Sequence, residues 1–481
     1  MTPTLAAAPV EFERRVHKAL KFWHDSHPND GLLDDLLIAH RAAPAQPMTR
    51  RQRTNLLLRR GLSDLSGLNP QDAELLALRF CEQLPMSETR RHLNYAESTI
   101  YSKQNQAITR LAAILYGLEL TAWHERAALL AGRLDPPPAL LVGIDSQIDG
   151  LASLLAAPTG PRILAIEGIG GIGKTTLAAA VMRKLSADTT YEEFAWISAQ
   201  VVGLDLCGDV YPRPQPVLTA ETVVAALAQQ LLPSHTMSNT ATMHNVLASL
   251  RQRLKTTPHL VTVDNLETVL DPQVLLRVLH TLAGPTKFII TTRRRLIAES
   301  NVFLHDVPEL RETDALTLLR YAAREHSLPA LAACPDSELL PIYRAIGGNP
   351  LALLLVLGQA HLRPLHAIVA GLGGLASAAG SLGSMETLFG YIYRQAWDGL
   401  CESDRCVLLQ VAAAETGRLD AETIEAICRS ACDCSQEVTA AALRRLIQAN
   451  LVYTVSDLDN CHYRLHSLTR TFLQQIAPRW L

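Results

Sequence analysis

A glycine-rich turn set between an apolar run and a helical run limits the folds open to this chain more than any other feature. Residues 162–176 read Arg-Ile-Leu-Ala-Ile-Glu-Gly-Ile-Gly-Gly-Ile-Gly-Lys-Thr-Thr. The first part is a short buried strand, and the pattern through Leu177 and Leu185 is an amphipathic helix. Between them, Gly168, four residues, then Gly173-Lys174-Thr175 fit G-x-x-x-x-G-K-[ST]. Glycines let the backbone N–H groups from Gly168 through Ile169, Gly170, Gly171, Ile172 and Gly173 to Lys174, Thr175 and Thr176 turn inward around a phosphate, and the helix N-terminus adds partial positive charge. Lys174 is expected to reach the β- and γ-phosphates, and the Thr175 hydroxyl to ligate Mg²⁺. The turn therefore predicts a site for a purine nucleotide, ATP or ADP. The rival reading, a glycine-rich connection with an incidental lysine, is set aside because the flanking strand and helix are both present.

The rest of the chain bounds where such a site sits. At 481 residues there is room for three or four domains, and 48% hydrophobic residues can fill their cores. A net charge of −3 gives no whole-protein field for nucleic acid or anionic membrane, so such a partner would need a local patch. Nine scattered cysteines show no paired framework and the amino terminus lacks a signal pattern, which places the chain in a reducing cytoplasm. Apolar stretches such as Leu351–Leu357 are too short to span a bilayer, so no membrane partner is expected.

From Pro9 to about Leu129 the spacing is helical throughout. Asn69-Pro70 opens one helix as cap and first residue, a short helix covers Ser87–His92, and after a turn at Asn94-Tyr95 a third runs from Glu97 to Leu115. That order, over about residues 68–118, is a helix-turn-helix, and it resembles region four of bacterial sigma factors and related response-regulator domains. The resemblance implies DNA contacts from Ser98, Thr99, Tyr101, Ser102, Lys103 and Gln106. Six arginines between Arg41 and Arg60, Arg51 among them, have no acid between them and are expected beside the phosphates. A protein-contact module remains the alternative.

Asp135-Pro-Pro-Pro138 reads as a stiff linker, and the Gly/Ala/Ser-rich stretch 371–384 as a connector. After the glycine turn, four apolar runs alternate with helical segments as in a parallel sheet: Phe194–Ser198, His259–Val263, Lys287–Thr291 and Val302–Val307. Asp264 ends the second of these, where its carboxylate can reach Mg²⁺ through water. Arg293 follows the third, placed to read a γ-phosphate with its forked donors. Asn265 cannot take a proton from water, which leaves Glu267 as candidate base and predicts slow hydrolysis. Cys428, Cys432, Cys434 and Cys461-His462 lack the paired spacing of a zinc site.

Phe194-Ala-Trp-Ile-Ser198, Val261-Thr-Val-Asp-Asn265, Ile289-Ile-Thr-Thr-Arg293 and Gly347-Gly-Asn-Pro-Leu-Ala352, in that order, resemble NB-ARC ATPases of the signal-transducing STAND class. The resemblance covers roughly residues 141–481. It implies that Val142 holds the adenine edge, although Ile144 stands where the family usually has Arg, and that Pro350 packs on the adenine. It also implies a winged helix formed by Ser403–Ala414, Asp420–Cys428, Ser435–Asn450 and a hairpin over Leu451–Arg464. Leu465-His466-Ser467 then aligns with the family's M-H-D motif, in which His466 would touch the ADP β-phosphate.

The expected fold is multidomain α/β: an all-helical effector domain (1–134), a P-loop parallel-sheet domain (135–300), a helical domain (301–370) and a winged helix (371–481). The expected function is an ADP/ATP switch whose released front domain binds DNA. Rival readings are a switch that recruits a protein partner in defence signalling and a turnover ATPase. A homo-oligomer in the ATP state and a separate sensor protein are the further partners this scheme implies.

Overall fold

The computed structural model describes residues 8–24, 31–42, 48–198, 219–232, 243–266, 269–293, 301–361, 363–370, 393–394, 396–413, 419–432, 434–449, 451–456, 461–465, 469 and 473. Glu267, His466, Ser467 and the 371–384 connector lie outside these residues. Among the described residues the first α-helices are α1 (Val10–Lys21), α2 (Leu37–Ala42), α3 (Arg50–Leu68), α4 (Pro70–Leu76), which runs on into a π-helical turn over Ala77–Cys81, α5 (Met86–Leu93) and α6 (Glu97–Arg133). Helix α4 starts as the sequence predicts, with the Asn69 carboxamide accepting from Asp72 N and Pro70 in the first turn. Asn94 closes α5 in the left-handed conformation, φ 55°. Leu57, Leu58, Leu111 and Leu115 from α3 and α6 meet in a buried core with Leu20 of α1.

Two expectations fail in this domain, and each failure has a physical cause. Helix α6 does not stop near Leu115 but runs 37 residues to Arg133. Its buried stripe continues through Glu119, Ala122, Arg126, Leu130 and Leu134, and the two charged members disguise the period in the sequence. Arg51, expected on DNA, is buried and donates to Ala19 O at 3.0 Å. Around it, Arg41 pairs with Glu125 at 2.7 Å, Arg50 and Arg53 flank Asp34, and Arg59 stacks over Trp23. The acids that neutralise this run come from distant segments, which a local count cannot see.

The long helix carries the front domain onto a five-stranded sheet. Helix α7 (Asp145–Ala156) precedes β1 (Ile163–Glu167), which leads through the glycine turn into α8 (Lys174–Leu185). Then come β2 (Glu193–Ser198), α9 (Ala220–Leu231), α10 (Met243–Thr256), β3 (His259–Asp264), α11 (Pro272–Leu282), β4 (Lys287–Thr292) and β5 (Phe303–Asp306). All pairings are parallel, in the order β2-β3-β4-β1-β5, so every predicted apolar run is a strand and the sheet extends past residue 300. Strands β1, β3 and β4 are buried along their whole length, as continuous Val/Ile/Leu runs require when helices cover both faces.

Edge strand β2 is closed by side chains. The Gln230 carboxamide accepts from Trp196 N at 3.2 Å and donates to Trp196 O at 2.8 Å, and Arg133 of α6 donates to Phe194 O. Arg126, about two turns further back, is buried and gives its guanidinium to four carbonyls: Ser186 at 3.2 Å, Asp188 at 2.5 Å, Tyr191 at 2.6 Å and Glu192 at 3.2 Å. It lies over the rings of Trp123 and Phe194, 4.9 and 5.4 Å from their centres. Burial lowers its pKa to about 10, so it stays charged at neutral pH.

Beyond the sheet lie α12 (Glu312–Glu325), α13 (Pro329–Ala333), α14 (Asp336–Ile346) and α15 (Pro350–Gln359), then α16 (Glu402–Ala413), α17 (Ala421–Cys432), α18 (Gln436–Gln448) and an antiparallel hairpin, β6 (Val452–Ser456) with β7 (Cys461–Leu465). One continuous core joins the two groups, from Leu319 and Leu353 to Leu443 and Leu465. A disulfide joins Cys406 of α16 to Cys432 of α17, a pairing that the cysteine spacing did not announce. No helix among the described residues is long and apolar enough to cross a membrane.

Candidate nucleotide site

The site lies at the carboxyl edge of the sheet, where β1, β3 and β4 end side by side. Gly171 and Gly173 have φ of 75° and 105°, conformations that a side chain resists, and they curl the backbone between β1 and α8. Lys174 is buried and its ammonium donates to Gly168 O at 2.8 Å and Ile169 O at 2.9 Å, so the loop's own carbonyls hold the cation at its centre. Thr175, exposed on the first turn of α8, donates to Asp264 Oδ1 at 2.8 Å. The two sequence-predicted metal ligands, 89 residues apart in the chain, are thus in contact.

The structure adds groups that sequence reasoning did not single out. Thr291 on β4 donates to the same Asp264 Oδ1 at 2.6 Å and accepts from Asn265 N at 2.9 Å, which fixes the hydroxyl in one orientation. Asn265, at φ 62°, also places its amide 3.3 Å from Asp264 Oδ2. Asp264 is itself buried, so these donors replace the water its charge would otherwise need. Hard oxygen donors at Thr175 and Asp264, beside a phosphate-shaped loop, suit Mg²⁺, which those two residues would hold directly or through water. Arg293 follows β4, exposed at the same edge and two residues beyond Thr291.

Asn349 is the second unforeseen member. It caps α15, its Oδ1 accepting from Leu351 N at 3.1 Å and Ala352 N at 3.2 Å, while its Nδ2 donates to Gly170 O in the loop at 3.0 Å. Leu351 N reaches Gly171 O at 3.3 Å. A Cβ on Gly171 would stand 2.6 Å from the Leu351 Cβ, so the loop and the helix touch without room for a side chain. Pro350 takes the first position of α15, and Val142 lies half-buried ahead of α7 beside Gly143, whose φ is 70°. Ile144 packs against the core under α7 and α8 rather than into solvent, an apolar role its sequence position did not suggest.

The NB-ARC domain model matches residues 144–328. The chain carries an NB-ARC domain. P-loop ATPases of this kind bind ATP or ADP, typically with Mg²⁺, and the loop, Thr175, Asp264 and the β4 end lie within the matched span. The NB-ARC relatives include TMV resistance protein N of Nicotiana glutinosa, 27% identical over 192 residues, which make up 39% of this chain and 16% of that protein. Disease susceptibility protein LOV1 of Arabidopsis thaliana is 37% identical over 57 residues, 12% of this chain and 6% of that protein. Among solved structures, a STAND protein with a tetratricopeptide repeat sensor from Pyrococcus horikoshii aligns at 18% identity and a TM-score of 0.44, over 71% of this chain and 43% of that one. The chain therefore spans well under two-thirds of each of these relatives.

Proposed function

We propose that the chain is an ADP/ATP-gated switch in which the NB-ARC domain, the helices after it and the C-terminal hairpin form a closed state around ADP. The contact of α15 with the phosphate loop is the observation that carries this reading, because it makes the loop part of an inter-module surface. A second tie supports it: Nη1 of Arg464 on β7 donates to both carboxylate oxygens of Asp135 at 2.6 Å, and Arg183 of α8 donates to the Asp135 carbonyl. In this scheme Lys174 meets the β- and γ-phosphates, Val142 and Pro350 border the adenine, and Thr175 and Asp264 hold Mg²⁺. Arg293 senses the γ-phosphate, Glu267 is the base of a slow hydrolysis, and His466 reaches the ADP β-phosphate. The three helices α16 to α18 with their hairpin are read as a winged helix. Exchange of ADP for ATP opens this unit and allows self-association.

For the front domain we favour DNA binding through the start of α6, where Thr99 and Tyr101 are exposed and Lys103 is half-buried. The defence roles named for the plant relatives favour a second reading, recruitment of a protein partner. Nucleotide retained through purification decides the first level: ADP in the purified chain, with ATP turnover below about one per minute, is expected of a switch. Empty protein, or rapid turnover, counts against it. Mobility shifts of random duplex pools by the full chain, wild type against Lys103→Ala, decide between DNA and a protein partner.

A further inference from the structure

The buried carboxamide of Asn349 faces two modules at once. Its oxygen ends α15 as a cap, and its nitrogen holds the carbonyl of Gly170 in the phosphate loop. The side chain is fully enclosed, and the carboxamide makes three hydrogen bonds in this position. A loop that binds phosphate must turn its N–H groups inward, so its carbonyls must turn outward and find donors elsewhere. Two of the outward carbonyls, Gly170 and Gly171, find them on the Asn349 side chain and the Leu351 backbone. The carbonyls of Gly168 and Ile169, at the start of the loop, turn instead to the Lys174 ammonium at its centre.

We infer that Asn349 is a positioning residue that sets the phosphate-ready shape of the glycine loop and makes that shape conditional on the docking of α15. The inference rests on the nucleotide reading above and adds the part that transmits it. When a phosphate draws the loop's N–H groups inward, the Gly170 carbonyl is presented to Asn349 and the α15 end is gripped. When α15 moves away, that carbonyl loses its donor and the loop loses its fixed form. Ligand and helix thus favour each other through one amide, and the coupling is reciprocal by linkage.

The roles of cap and tie separate by mutation. Asn349→Ser and Asn349→Asp both keep a side-chain oxygen able to cap α15, and neither can donate to Gly170 O as the amide does. Isothermal titration of the full chain, freed of nucleotide, with ADP and with adenosine reads the loop directly. Loss of one buried tie is expected to weaken ADP about tenfold for Asn349→Ser, and further for Asn349→Asp because its carboxylate would stand against the Gly170 carbonyl oxygen, while adenosine is unchanged. Amide exchange reads the coupling: ADP slows exchange along Pro350–Gln359 in the wild type and loses that effect in Asn349→Ser, while the loop itself remains protected. Serine and aspartate variants that bind ADP like the wild type, with α15 still protected by ADP, overturn the coupling alone. A wild-type chain that binds no ADP overturns the nucleotide reading instead.

Discussion

Replacing Arg126 by alanine should detach the front domain from the nucleotide-binding domain. Its guanidinium supplies every one of the hydrogen bonds described above to the carbonyls of Ser186, Asp188, Tyr191 and Glu192, segments that join α8 to β2. A hydrogen bond from a charged group contributes about 1.5–3 kcal/mol, but burying the guanidinium costs several kcal/mol, so the four cannot simply be added. Truncation leaves four carbonyls short of a donor and a void beside Trp123 and Phe194. A buried carbonyl left without a donor costs about 1–3 kcal/mol, and water entering the void keeps the combined loss well below the sum of four. We therefore expect a loss of about 3 kcal/mol, concentrated where α6 meets the sheet. Arg126→Lys should recover little of it, since one ammonium cannot span four acceptors. Urea unfolding followed by tryptophan fluorescence measures the loss, and brief proteolysis measures where it falls: cleavage should appear between residues 134 and 144. A variant within about 0.5 kcal/mol of wild type, cut no faster there, would refute the clamp.

Other outcomes follow from the same geometry. Lys174→Ala should leave the purified chain without nucleotide, because the loop loses its central cation; unchanged nucleotide content after gel filtration would sink that assignment. Asp264→Asn should weaken nucleotide binding far more with Mg²⁺ than with chelator, and Thr291→Val should do the same by about three- to tenfold, with Thr291→Ser close to wild type. Equal losses with and without Mg²⁺ would make both residues merely structural. Burial lowers the pKa of His17, His40, His305 and His361 from the ordinary 6.5, so the unfolded chain binds more protons than the folded one below that value. Stability should accordingly fall as pH drops from 7.5 through 6.5 toward 6; a melting temperature that is flat or rises over that interval contradicts the burial of these rings.

The sheet was legible because its information is local. Apolar runs of five or six residues, a glycine turn and the acids and hydroxyls at strand ends all lie within short windows; each apolar run became a strand, and the Thr175 hydroxyl meets the Asp264 carboxylate at the strand ends. The role of Arg51 and that of Asn349 escape the sequence for a common reason: their partners are remote. The alanine backbone that holds Arg51 is 32 residues away, and the glycine that Asn349 holds is 179 away. Asn349 was nonetheless readable in part. Asn69-Pro70 reads as cap and first helical residue, and Asn349-Pro350 carries the same signal, overshadowed by the adenine role that the family resemblance implies for Pro350. Charged residues on the inner stripe of α6 hid the length of that helix, since periodicity counts apolar residues and cannot anticipate a guanidinium buried among carbonyls.

Helix α6 has a mechanical meaning once its two ends are considered together. Arg126 and Arg133 fasten the last turns to the sheet, while the first turns are built into the core of the front domain. At 1.5 Å per residue the 37 residues form a rod of about 55 Å with no proline to bend it. A rod gripped at one end amplifies rotation: a tilt of about 10° in the nucleotide-binding domain would sweep the far tip through about 10 Å. The front domain rides on that lever arm, so even a small rocking of the sheet against its surroundings would be delivered at the other end of the protein as a displacement comparable to the width of a helix.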